Sequence, residues 1–568
     1  MPKQKIDCLL IHVPKDESEE FAFGMIMPMG LFALADALNR NGYISRIIHI
    51  GVEKIRNNTF SIEDYLKDKE VLLIGVSLHW YFQSHDTIQL INRIKLSRME
   101  IKIVLGGFTA SFFSEEIIRY FGNVDFVIRG DGELPLLSLM KELYKKRPDF
   151  SLVPNMVWRN SNKIIKNAHS YVATSQDLDK LNFTNFGLME NFALYRSVGL
   201  GEVHYFYNPK TLNNQKSFPL SIGRGCRLNC SYCGGAKLSQ RLINNRREVV
   251  FRSPEKVLES LKDIVEAGYE EVFICFEPYN DYFRKVFALI KKSKIRIRMN
   301  FNCQFLPDKD FIDEFKDTFE DGSAINLSPE TGSEKLRKLN KGLFYTNDEL
   351  IGVLDYLKKI NLSAIIYFCY PLPFSTKNDI KITDRLINFI KKNFGERHRV
   401  IMHELSPDPA SPMYIFPEKF KMIRKISSFL DYYMLQDRPA YIPERMSEKG
   451  FISMFKEWRD REDAIHRLIP KGFAYADIEK YDKAIEQANK ALRLAPEERE
   501  AYFLLAYSYR KKKKYRVAIE NIKKAEKINP KDPRVNFLLS CYYKDIGRIK
   551  MFREEIDKGC IKLGKIDG

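Results

Sequence analysis

Short apolar runs alternate with amphipathic stretches in two separate blocks of this chain, and alternation of that kind is met by parallel α/β architectures. In the first block the runs Ile6–Val13, Ile44–Ile50, Val71–Leu78, Ile101–Leu105 and Phe126–Ile128 read as strands of one doubly wound sheet. A helix is expected over Leu31–Leu38, opened by Pro28-Met29-Gly30 and stopped at Asn41-Gly42. Glycines cluster at strand C-terminal ends, in Gly106-Gly107-Phe108-Thr109-Ala110 and Arg129-Gly130-Asp131-Gly132-Glu133. Open α/β sheets bind ligands at that edge, where the backbone must approach them closely.

The second block opens with Phe218–Ile222, the turn Gly223-Arg224-Gly225, and then Cys226-Arg227-Leu228-Asn229-Cys230-Ser231-Tyr232-Cys233. Thiolates are soft ligands, and an all-thiolate [4Fe–4S] site takes four, so three on one loop leave an iron open. A zinc knuckle would want a fourth Cys or His at close spacing, and none follows. Helices are expected over Ser253–Ala267 and near Tyr282–Lys291, Asp310–Phe319, Leu350–Lys359 and Asn378–Lys392. Strands over Glu271–Phe276, Ile295–Asn302, Ala324–Ser328, Ser363–Tyr370 and Arg399–Leu405, with the cysteine-bearing one, make six. That count indicates a partial (β/α)6 barrel with its chemistry at the strand C-terminal ends.

The C-x-x-x-C-x-x-C spacing with Tyr232 before the last cysteine resembles the radical S-adenosylmethionine (radical SAM) superfamily. The resemblance implies that Cys226, Cys230 and Cys233 hold a [4Fe–4S] cluster whose open iron chelates SAM, and that an electron from it yields a 5′-deoxyadenosyl radical. Ser328-Pro329-Glu330-Thr331-Gly332-Ser333, with Leu336 and Asn340-Lys341-Gly342 after it, resembles the fourth-strand segment of the family, which makes Glu330 the main expected SAM contact. Glu277, in Phe276-Glu277-Pro278-Tyr279, is a secondary one, the family's glycines being missing there. Tyr370–Ser375 and Leu405–Tyr414 resemble the turns after the fifth and sixth strands.

Residues 1–149 resemble the flavodoxin-like cobalamin-binding domain that precedes many radical SAM cores, through Pro28-Met29-Gly30-Leu31, Val76-Ser77-Leu78, the Gly106-Gly107 loop and Arg129–Glu133. Cobalamin is the implied cofactor, with Ser77, Gly106, Gly107, Thr109, Gly130 and Glu133 lining it. The D-x-H-x-x-G signature that supplies a lower axial histidine is absent. His12 and His79, at strand ends, are cobalt ligands or satisfied cap contacts, the second being the commoner fate of such a residue. A domain that keeps the fold without the cofactor is the alternative.

Residues 150–217 read as a connector with a β-hairpin at Val157–Ile164, 218–414 as the barrel, and 415–466 as a helical extension. From 467 to 568 Tyr481, Ala484, Ala491, Pro496 and Leu505 recur 34 residues on as Tyr515, Ala518, Ala525, Pro530 and Leu539. That is the tetratricopeptide period, so an all-α array of about two and a half repeats is expected, with a peptide- or protein-binding role weighed evenly against scaffolding. Arg510–Lys514 falls at an inter-helix turn, where a charge run is most often solvated.

No apolar run reaches membrane-span length, and a cytoplasmic location is expected, in keeping with six scattered cysteines (Cys8, Cys275, Cys303, Cys369, Cys541 and Cys560) of nine. A net charge of +18 favours an anionic partner without naming one. The leading expectation is a cobalamin-dependent radical SAM methylase: one SAM gives the radical that removes a substrate hydrogen, another supplies a methyl group by way of the corrinoid. A radical rearrangement, cyclisation or coupling enzyme is the second reading, and a corrinoid- or redox-sensing adaptor signalling through the repeats is a third. A tRNA methylthiotransferase is disfavoured because only Cys8 lies before the barrel, where that family needs three cysteines. A reductant such as flavodoxin or ferredoxin is implied; the substrate is left open among peptide, lipid, nucleotide and metabolite.

Overall fold

In a computed structural model the chain forms two compact units, Met1–Glu444 and Arg445–Gly568. The structure describes residues 3–14, 27–57, 59–197, 217–275, 280–342, 344–395, 397–405, 407–422, 428–435, 468–469, 472, 475–476, 480–494, 496, 498–528, 530 and 533–562.

The first sheet contains the parallel strands β1 (Gln4–His12), β2 (Ser45–His49), β3 (Lys69–Ser77), β4 (Lys102–Gly106) and β5 (Phe126–Ile128) in the order β2-β1-β3-β4-β5. This is the flavodoxin-like arrangement. From Ile6 to His12 every residue of β1 is buried, as a central strand with both faces covered requires. The hairpin of β6 (Met156–Asn160) and β7 (Lys163–Lys166) adds antiparallel to β5 and so extends this sheet. Helix Gly30–Arg40 ends where expected, with Asn41 as cap and Gly42 left-handed at φ 86°.

A second sheet runs β8 (Ser217–Pro219), β11 (Glu271–Cys275), β12 (Arg298–Cys303), β13 (Ala324–Glu330), β14 (Ser363–Tyr370) and β15 (His398–Glu404), all parallel. These six strands form the partial barrel. Between β8 and β11 lies a two-stranded ribbon of β9 (Gly223–Arg224) and β10 (Val250–Phe251). A Cβ at Gly223 would lie 2.2 Å from the Val250 carbonyl oxygen, so only glycine permits this pairing. Phe301 packs edge-to-face on Phe283 and Phe311 of the covering helices, at 4.8 and 5.2 Å between ring centroids. Strand alternation then turns Asn302 to the barrel interior, beside its in-register partner Asn326.

Of the stretch 415–466, expected as a helical extension, helix Phe429–Leu435 is described, while 423–427 and 436–466 lie outside the described residues. Its Phe429 and Tyr432 join the apolar core of the first sheet. The Phe429 amide donates to Glu116.

In the second unit, helices Tyr481–Leu494, Arg499–Lys511, Tyr515–Ile528, Pro533–Asp545 and Ile549–Lys562 follow the 34-residue repeat. The recurring Ala484, Ala491, Ala518 and Ala525 are fully buried between them. The basic run at the turn is partly paired: Arg510 reaches Asp545 at 2.5 Å and Lys512 reaches Asp482.

A buried ion cluster joins the loop after β5 to the β9–β10 ribbon and the segment before β10. Arg224 on β9 contacts Asp131 at 2.6 Å and Glu133 at 2.5 Å, and Arg246 contacts Asp131 at 2.5 Å. Arg246 also donates to the Ala173 carbonyl, and the Ala173 amide donates to Asp131. Burial alone would lower the Arg224 guanidinium, but Glu133 and Asp131 outweigh it and raise it. Removing one partner of such a cluster strands the others in low dielectric, so Asp131→Asn is expected to cost about 3–5 kcal/mol. A urea-unfolding midpoint unchanged from wild type would refute this assignment.

Candidate functional site

Across the first sheet, register places His49, His12, Ser77 and Gly106 in one row at the strand C-terminal edge. Ser77 Oγ and His12 Nδ1 are 3.0 Å apart, and both residues are buried. Gly106 has open space where a side chain would stand. Gly107 is left-handed, φ 106°, and a Cβ there would meet the Leu78 carbonyl oxygen at 2.7 Å and His79 Cα at 2.9 Å. Thr109 donates from its hydroxyl to the His79 carbonyl at 3.0 Å. Gly130, φ 69°, closes the row, its amide donating to Ser111 Oγ at 2.9 Å. Five of the six residues expected to line a cofactor therefore gather at this edge. Glu133 starts helix Glu133–Leu143 and is engaged by Arg224. The open space above Gly106 and the close backbone approach at Gly107 fit a large flat group lying on the strand ends.

Arg224 lies two residues before Cys226, so the ion cluster ties that crevice to the cysteine loop. Gly225, φ 105°, turns the chain between them. Cys226, Cys230 and Cys233 share one apolar cluster with Leu228, Tyr232, Phe305 and Tyr345. The loop is pinned from two sides. The Ser231 amide donates to the Asn340 carbonyl at 2.7 Å and its hydroxyl to Asn340 Oδ1 at 2.6 Å, while the Met413 amide donates to the Ser231 carbonyl at 2.8 Å. The Gly234 amide donates to Asp408 at 2.9 Å.

Burial, then the neighbouring Cys230, pushes the Cys233 thiol well above its ordinary value. A bare thiol so placed stays protonated, and the charge of a bound metal ion is what would release its proton. Among the described residues no three His, Cys, Asp or Glu side chains converge as on a single ion. Three thiolates of a cubane each take their own iron and need no common point.

Glu330 ends β13 after a register break between Leu327 and Glu330, with φ 62°. A non-glycine residue held left-handed at a strand end is the kind of strain that surrounding contacts must fix. Lys341 supplies the fixing: its side chain is 2% exposed, and its ammonium donates to the Ser328 carbonyl at 2.6 Å and to Glu330 Oε1 at 3.0 Å. Burial would lower Lys341, yet Glu330 beside it raises it. Tyr232 feels the same carboxylate; burial first and then Glu330 raise its phenol. The following loop is clamped by Arg337, which donates to the Tyr345 and Thr331 carbonyls at 2.7 and 2.8 Å. Gly332 must be small, because a Cβ would lie 2.7 Å from Thr383 Cα. Inside the barrel the carbonyl oxygens Asn302 Oδ1 and Asn326 Oδ1 are buried with no partner among the described residues, acceptors open to a donor-bearing ligand. Glu277 lies outside the described residues.

Sequence reasoning missed Lys341, Asn302, Asn326 and the Arg224–Asp131–Arg246 cluster as site elements. Lys341 and Arg224 stood inside quoted segments and carried a signal in their charge beside glycine. The two asparagines had none beyond their place on expected strands.

Residues 220–387 match the radical SAM superfamily, 22–140 the B12 binding domain, and 477–550 the anaphase-promoting complex, cyclosome, subunit 3. The anaerobic magnesium-protoporphyrin IX monomethyl ester cyclase of Cereibacter sphaeroides is 24% identical over 208 residues, 36% of this chain and 29% of that protein. The tRNA-2-methylthio-N(6)-dimethylallyladenosine synthase of Lachnoclostridium phytofermentans is 24% identical over 208 residues, 34% of this chain and 43% of that one. The chain thus spans less than half the length of these curated relatives. The radical SAM methyltransferase TsrM of Kitasatospora setae, solved with tryptophan and a SAM analogue, superposes with TM-score 0.61 at 14% identity over 81% of this chain and 90% of that one. OxsB, solved with aqua-cobalamin and SAM, gives TM-score 0.58 at 15% identity over 98% of this chain and 84% of that one. The chain therefore carries a radical SAM domain, with a B12 binding domain before it and tetratricopeptide-like repeats after it.

Proposed function

We propose that this enzyme methylates an unactivated carbon of its substrate. The observation that carries the reading is the buried Arg224–Asp131–Glu133 cluster, which fastens the crevice of the first sheet to the start of the cysteine loop. A corrinoid held in the one and a cluster held by the other would then face the same barrel mouth. When bound, the [4Fe–4S] cluster supplies the electron that cleaves SAM to a 5′-deoxyadenosyl radical, and cobalamin supplies a carrier for a methyl group.

The chain's own residues do the holding. Cys226, Cys230 and Cys233 are the proposed cluster ligands, with Tyr232 packed against the loop. Glu330 is the proposed acceptor for SAM hydroxyl or ammonium groups, since ionised acceptors make the stronger hydrogen bonds. Lys341 pairs with that carboxylate and aims it. Asn302 and Asn326 offer neutral acceptors deeper in the barrel. Ser77, Gly106, Gly107, Thr109 and Gly130 shape the proposed corrinoid crevice. The repeats are a proposed docking unit for a protein or peptide, and a flavodoxin or ferredoxin is the proposed electron source.

A cyclisation without methyl transfer is the second reading, favoured by the likeness to the Cereibacter sphaeroides cyclase. Anaerobic reconstitution followed by mass analysis of SAM products separates the two. Methylation yields both 5′-deoxyadenosine and S-adenosylhomocysteine with bound corrinoid; deoxyadenosine alone refutes it. Cys226→Ala is expected to abolish cluster absorbance and both products.

Loss of a charge-assisted contact is worth about 1.5–3 kcal/mol, so Lys341→Met is expected to weaken SAM binding about 10- to 100-fold in equilibrium dialysis while cluster absorbance stays. Unaltered SAM affinity would remove Lys341 from the site. Gly107→Ala puts a side chain into backbone at positive φ, and corrinoid uptake followed by absorbance is expected to fall sharply.

A further inference from the structure

Three histidines stand at the C-terminal edge of the first sheet, and their surroundings differ. His12 and His49 are fully buried; His12 is bonded to Ser77, and His49 Nδ1 accepts from the Val52 amide at 3.4 Å. Their rings meet edge-on, 4.7 Å between centroids, and neither reaches the crevice surface. His79, on the loop just after β3, is partly exposed, and no hydrogen bond engages its ring among the described residues.

That loop is the one that the crevice glycine and threonine grip. Gly107 approaches Leu78 and His79 so closely that no side chain fits, and Thr109 takes the His79 carbonyl from both its amide and its hydroxyl. The ring itself is fixed on two sides. It stacks on Phe108 at 4.8 Å and 24°, and meets Trp80 edge-on at 4.9 Å. An imidazole with its backbone anchored and its plane set by neighbours is held in place, and among the described residues its nitrogens are open to a ligand.

We infer that His79 is the lower axial ligand of the cobalt when a corrinoid occupies this crevice, replacing from the β3 loop the histidine that the missing D-x-H-x-x-G segment would have supplied. His12 cannot take the role without giving up Ser77. Cobalt, like other first-row metals, accepts imidazole nitrogen. The inference rests on cobalamin binding as such, and the test separates the two.

The test is electron paramagnetic resonance of the wild-type protein loaded with cob(II)alamin, prepared once with natural histidine and once with 15N-histidine. Ligation by His79 gives nitrogen splitting that is a triplet with 14N and collapses to a doublet on labelling. His79→Ala is expected to lose the splitting while still retaining corrinoid through gel filtration. A triplet that ignores the label assigns the nitrogen to the cofactor's own base and overturns the inference, as does a spectrum without nitrogen splitting. A doublet that survives in His79→Ala names another histidine and overturns it too. Failure of the wild-type protein to retain corrinoid removes the cobalamin reading itself, and the ligand with it.

Discussion

The contact on which the site depends is the carboxylate of Asp131 shared between two guanidinium groups, Arg224 and Arg246. Asp131 sits in the glycine loop that closes the first crevice, and Arg224 sits in the ribbon that delivers the cysteines. Two domains with separate cores drift relative to each other unless something stiff spans them. A buried charge cluster is stiff because any displacement leaves a charge unpaired in low dielectric. It is also directional, since guanidinium and carboxylate meet edge to edge. Apolar packing alone would tolerate sliding here; paired charges do not.

The cysteine loop inherits that fixed position and adds its own. Ser231 is held by Asn340 on the segment after the fourth barrel strand and by Met413 beyond the sixth, so the loop bridges two distant parts of the barrel. The Cys233 thiol, whose proton burial makes hard to remove, is already placed by these contacts. A metal ion bound there would meet the unfavourable deprotonation without a further cost of ordering the chain.

Much of the architecture was legible in the sequence because parallel strands buried on both faces write themselves as apolar runs. β1 through β5 fall within a residue or two of Ile6–Val13, Ile44–Ile50, Val71–Leu78, Ile101–Leu105 and Phe126–Ile128. Glycine positions were legible for the same kind of reason: Gly107 and Gly130 are left-handed, and few other residues tolerate that. What escaped was tertiary. That Glu133 would turn to Arg224 depends on a contact across about ninety residues, and no local pattern encodes a partner so distant. The hairpin at 156–166 was readable as a hairpin, but not as a continuation of the first sheet, because an edge strand carries no mark of which edge it joins. His12 and His79 looked alike in sequence; only burial and hydrogen bonding tell the satisfied histidine from the available one.

Glu330 raises a question that its salt bridge answers. A carboxylate already paired with a buried lysine looks spent, yet the pairing is through Oε1 alone. Its second oxygen and the remaining lone pairs stay able to accept, so the ion pair orients the group without exhausting it. The lysine also holds the Ser328 carbonyl, two residues back across the register break, so the same ammonium that pairs with the acid braces the left-handed backbone beneath it. Strain and charge at this strand end are therefore one arrangement: the positive φ aims Glu330, and Lys341 makes that aim stable.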